Sequence, residues 1–93
     1  SSAASDVYKR QDNEVTFDFN KKVKYNNTKV TITNESGSKT YKATIIERDN
    51  DELSVRVKGL KEGSTYKYSI TGVTDKSSGS SKTLTGSFVA LED

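Results

Sequence analysis

Apolar and polar residues alternate with period two along most of the chain, and no window sustains the spacing of an amphipathic helix. Residues 14–19 set Val15, Phe17 and Phe19 on one face and Thr16 and Asp18 on the other, which predicts a first strand. The polar connection from Asn20 to Asn27 carries Val23 and Tyr25, placed to fold over an open end of the core, and has room for a short strand within 22–27. Residues 28–33 turn Val30 and Ile32 inward, and Asn34-Glu35-Ser36-Gly37 reads as a turn, with Gly37 suited to positive φ. Residues 40–47 predict the next strand, with Tyr41, Ala43 and Ile45 on one face. There Ile46 breaks the alternation and marks a bulge or a contact between sheets.

Asp49-Asn50-Asp51 forms a polar hairpin turn, after which Leu53, Val55 and Val57 return inward with Arg56 and Lys58 facing water. Residues 65–71 make another strand, and a Ser/Gly-rich loop runs from Gly72 to Lys82. The last strand, over 83–90, places Leu84, Phe88 and Ala90 on one face, with Gly86 at a bulge. Six strands with short turns, and a seventh in 22–27, predict an all-β fold. The expected fold is an immunoglobulin-like or fibronectin type III-like sandwich of about seven antiparallel strands. Its core is expected to hold Phe17, Phe19, Val30, Ile32, Ile45, Leu53, Val55, Tyr66, Ile70 and Phe88.

The segment GLKEGSTYKYSITGVTD, residues 59–75, holds Leu60, Gly63 and Tyr66 at Leu-x-x-Gly-x-x-Tyr spacing ahead of an alternating strand. This is the pattern of a tyrosine corner between the fifth and sixth strands of an immunoglobulin-like sandwich. The glycine turns the chain, the leucine plugs the end of the core, and the tyrosine reaches back to the loop backbone. With VTFDFNKKV ahead of it and a Gly-containing loop and Ser-Phe strand behind it, the chain resembles the immunoglobulin-like modules of bacterial S-layer and other surface proteins. The resemblance covers nearly all of residues 14–90. It implies an extracellular or cell-surface module, often repeated, that serves as a spacer or scaffold with no shared catalytic residues. Asn20-Lys21-Lys22 stands where the pattern has Glu-Pro, and Ser78-Gly79-Ser80 where it has Gly-Asn. Fibronectin type III modules usually carry a Trp in the second strand, and this chain has none.

Residues 1–11, SSAASDVYKRQ, fit none of this patterning. Reverse-translated, every codon matches a transposase-delivered sequencing adapter read in frame, so the segment is expected to be non-native and disordered, and the chain a metagenomic fragment. Residues 12–93 then form a single immunoglobulin-like domain of unknown neighbours. The whole chain has 15 basic and 13 acidic residues. Lys9, Arg10 and Asp6 lie in the adapter segment, so 13 against 12 remain and the net charge falls from +2 to +1. Such a balance offers no basic stripe for nucleic acid, and no apolar run reaches membrane-spanning length. Abundant Ser, Thr, Asn and Lys suits a module from an AT-rich bacterial genome.

The chain has no Cys and no His, which removes disulfides, thiolate sites and the usual general base. No catalytic, cofactor-binding or metal-binding residue is therefore assigned, no cofactor is expected, and the chain is read as a monomer and not an enzyme. Asp49, Asn50, Asp51 and Glu52, with Asp75, offer oxygen ligands for calcium, but the same residues are what a hairpin turn prefers. Tyr66 and Tyr68 share a face with Ile70 and are assigned to the core, leaving Tyr25 and Tyr41 as the exposed aromatics. An internal isopeptide bond needs an inward Lys, and none is evident. Two functions remain: a spacer whose partners are neighbouring domains of the same parent chain, or a module binding a surface glycan or protein. The second would work through the loops Asn20 to Asn27 and Gly72 to Lys82.

Overall fold

The computed structural model describes residues 4–10, as backbone, and 13–90. Its eight strands are β1 (Ala4–Arg10), β2 (Glu14–Phe19), β3 (Val23–Asn34), β4 (Thr40–Tyr41), β5 (Ala43–Arg48), β6 (Glu52–Val57), β7 (Thr65–Asp75) and β8 (Leu84–Val89). They form two four-stranded sheets of order β1-β2-β6-β5 and β4-β3-β7-β8, with every neighbouring pair antiparallel. The all-β sandwich of antiparallel strands follows the alternation. Inward residues of both sheets meet in one core that includes Phe17, Ile32, Leu53, Val55 and Ile70, all fully buried.

The turns gather at two ends. Phe19 N donates to Asp51 O, Val23 N to Asn50 O and Lys76 N to Lys22 O, so the turns around 20–22, 49–51 and 76–80 share a loop end. Gly63 N donates to Ala90 O and Ala90 N to Ser64 O, which places the close of β8 beside the 59–64 corner at the opposite end.

Four expectations are corrected. Residues 1–11 are not wholly disordered: Ala4–Arg10 form β1, in register with β2 from Ala4↔Phe19 to Arg10↔Glu14. Without a strand there, β2 would expose a row of unpaired N–H and C=O groups, which extended main chain of almost any sequence satisfies. Residues 1–3, 11–12 and 91–93 lie outside the described residues.

The strand expected over 40–47 is two. Tyr41 pairs with Ile32 in one sheet and Ala43 with Val57 in the other, with Lys42 at the crossing. The expected break at Ile46 is a register shift between Ile45 and Glu47, with Ile46 40% exposed.

The third correction concerns the candidate binding loops: the short strand allowed for within 22–27 is present as the start of β3, and residues 72–75 of the expected 72–82 loop belong to β7. β3 starts at Val23 and β7 runs to Asp75, pairing Val23↔Asp75 and Tyr25↔Val73 beyond an irregularity between Tyr25 and Lys29. Burial drives this, because Val23 and Val73 are 3% and 4% exposed. The irregularity is seated on Gly72, whose φ of +80° faces the backbone of Asn27 and Thr28, while Asn27 itself takes φ 50° and Thr28 Oγ1 donates to Gly72 O at 2.9 Å.

Thr16, expected to face water, is also fully covered. It shares a 3.1 Å hydroxyl hydrogen bond with Ser54 on the outer face of the β1-β2-β6-β5 sheet. Both are short side chains on the two central strands, flanked by the longer Glu14, Asp18 and Arg56.

Candidate functional site

The residues singled out from sequence form the corner between β6 and β7. Leu60 is buried at the base of the core, Gly63 turns the chain at φ +85°, and the Tyr66 ring is 3% exposed. The Tyr66 hydroxyl accepts a hydrogen bond from Lys61 N at 2.7 Å. The ring is held edge-on by Tyr41, with centroids 5.5 Å apart, and lies 5.8 Å from Phe88. Geometry of this kind locks a loop and performs no chemistry.

At the loop end, the remnants of the two predicted loops come together. Lys76 N donates to Lys22 O at 2.9 Å, and Lys21 lies 3.5 Å from the Asp75 carboxylate. Asp75 accepts from Ser77 N at 2.9 Å, Ser77 Oγ at 3.0 Å and Ser78 N at 3.4 Å, an Asx turn that opens the 76–80 loop. These bonds, led by the Ser77 amide, with Lys21 adding to them, hold the Asp75 carboxyl below its ordinary pKa. The surface around them is Lys21, Lys22, Lys76 and Ser77, with no aromatic side chain. A polar end of this kind offers no stacking platform for a sugar ring.

The acidic hairpin uses its backbone carbonyls internally. Asp49 N donates to Glu52 O at 2.7 Å, and the carbonyls of Asn50 and Asp51 accept from Val23 N and Phe19 N. The Tyr25 hydroxyl donates between Asp49 O, 2.6 Å away, and Glu52 O, 2.9 Å away. Burial first, and then the nearby Asp49 and Asp51 carboxylates, push its pKa upward. Among the described residues no group of three or more acidic side chains converges on a point where a cation would sit. The segment is a hairpin turn pinned by a tyrosine.

Tyr25 and Tyr41, expected to be exposed, are both half-buried and packed against the core. Every Lys among the described residues is exposed, so no inward Lys is available for an isopeptide bond. No helix among the described residues is long and apolar enough to cross a membrane. What sequence reasoning missed is the second role of Tyr25: its hydroxyl ties β3 to the 49–52 turn. Its sole signal was an apolar-faced tyrosine within a polar run.

A family model described as the CopC domain matches residues 1–83. No curated protein matches the chain. Among solved structures, the crystal structure of CopC from Methylosinus trichosporium OB3b is similar, with a TM-score of 0.62 and 16% sequence identity. The match covers 100% of this chain and 94% of that one. At that identity the likeness establishes the fold. The resemblance to S-layer-type modules holds at the level of the sandwich and is corrected at the level of the family.

Proposed function

The chain belongs to the CopC domain family, and from that membership we propose that it is a non-catalytic sandwich module of a bacterial protein acting outside the cytoplasm, built without its family's copper site. The family is one of copper-binding proteins and not of enzymes. Copper sites are built from imidazole for Cu(II) and from thiolate or thioether for Cu(I). This chain has no His, no Cys and no Met, which is the observation that carries the reading. The remaining donors do not compensate. The acidic side chains do not cluster among the described residues, and the Tyr25 phenol is pushed away from ionisation. The residues present do not fit copper, and no copper chemistry is derived for them.

The reading that remains is a spacer or scaffold, monomeric, whose contacts are with neighbouring domains of a parent chain at the cell surface. Support comes from the corner and hairpin locks at its two ends and from exposed charge along its edges. Binding a glycan through the surface of Lys21, Lys22, Lys76 and Ser77 is disfavoured by the lack of an aromatic side chain in that patch. The reading also includes residues 1–11 as an appended segment that occupies the strand position beside β2, supported by the codon match; the intact reading frame of the source locus tests it.

Equilibrium dialysis against Cu(II), and against Cu(I) under reductant, tests the copper claim. The expected result is no stoichiometric copper retained against a competing chelator and an unchanged Tm. One copper held per chain, with a rise in Tm, would overturn the proposal.

A further inference from the structure

The side of the sandwich where β3, β4 and β5 meet is open. β4 pairs with β3 only at Ile32 and Thr33 before the chain crosses to the other sheet. The outer edge of β3 over residues 28–31 therefore faces no strand among the described residues, and β5 is the outermost strand of its own sheet. Between these edges runs a groove of about 490 Å³. Its apolar lining is the buried Val30 and the half-buried Tyr41, Ala43 and Ile45, while the exposed Lys29, Lys42 and Arg48 supply its charge. No Asp or Glu lines it.

We propose that this groove accepts an extended acidic polypeptide segment as an added strand. Two bare strand edges present outward-directed N–H and C=O groups, a pattern that the main chain of an extended peptide matches and a sugar or a folded surface does not. Alternate side chains of such a segment would point into the apolar lining, and the others would meet three cations that no lining carboxylate offsets. Charge decides between occupants. A second copy presenting the same groove would bring the same cations and be repelled, so Lys29, Lys42 and Arg48 disfavour pairing of like grooves while admitting a strand rich in Glu or Asp. The inference goes beyond the spacer reading and does not depend on it.

Fluorescence anisotropy with a labelled peptide of alternating Glu and Val, about ten residues long, tests the proposal. The expected result is saturable binding, with amide resonances at 29–31 and 43–47 shifting and gaining exchange protection. Reversing two exposed charges, Lys29→Glu with Lys42→Glu, is expected to weaken binding about tenfold in a variant whose spectrum is otherwise unchanged. Equal binding of the same peptide N-methylated at alternate residues would show charge attraction without strand pairing and would overturn it. So would equal binding of a Lys-Val peptide, shifts confined to the Lys21, Lys22 and Lys76 end, or no binding at all.

Discussion

Replacing Tyr66 by Phe keeps the ring and removes one atom that organises the corner. The ring stays 3% exposed against Tyr41 and Phe88, so the packing contribution is unchanged. What is lost is the acceptor for Lys61 N, bonded at 2.7 Å in a part-buried setting. An amide deprived of its partner away from bulk water costs about 1–2 kcal/mol. A domain of this size has a total stability of about 4–12 kcal/mol, so the loss is a large fraction of it. In urea, with a slope of about 1 kcal/mol/M for so small a domain, the unfolding midpoint falls by about 1–2 M at constant slope. Tyr25→Phe is the internal comparison. Its hydroxyl donates to the carbonyls of Asp49 and Glu52, one bond exposed and one part-buried, and a carbonyl that loses this donor keeps a second lone pair for other partners. That variant is expected to lose less than about 1 kcal/mol. If Tyr66→Phe costs no more than Tyr25→Phe, the corner hydrogen bond does not lock the fold and the argument fails.

Gly72→Ala places a methyl group against Asn26 O, 2.8 Å from Thr28 Cα and 2.9 Å from Asn27 O at a φ of +80°, all of them backbone atoms. It is expected to cost about 2–4 kcal/mol by urea unfolding, with the largest chemical-shift changes at 25–29. The Tyr25 phenol has a folded-state pKa raised by burial and neighbouring carboxylates above its unfolded value near 10. Its contribution to stability is therefore complete below pH 10 and is lost as pH rises toward the folded value. Stability measured from pH 9 upward should fall, and less steeply in Tyr25→Phe; identical slopes would refute the assignment.

The sandwich was legible because its signals are local. Alternation marks each strand, and Leu60, Gly63 and Tyr66 lie close enough in sequence to be read as one device. The crossing at Lys42 was hidden for a physical reason. Tyr41, Ala43 and Ile45 point toward the same core whether the strand stays in one sheet or passes to the other, so the period is unbroken. The long β3–β7 ribbon was hidden by its own irregularity, which interrupts the pattern at Asn26 and Asn27, and by Gly72, which reads as a loop residue. Thr16 was misplaced because alternation reports which face a residue takes, not how tall its neighbours are. The family could not be read from candidate chemistry, since a fold associated with copper keeps none of copper's usual donors in this sequence.

The placement of β1 and β8 has a mechanical consequence. β1 begins at the loop end, with Ala4 opposite Phe19, and β8 finishes at the corner end, where Ala90 meets Gly63 and Ser64. Tension applied between Ala4 and Ala90 therefore runs along the axes of the strands. The hydrogen bonds of the β1–β2 and β7–β8 ladders lie across that line and are loaded together in shear, not unzipped one at a time. A pulling force would have to break each ladder as a unit.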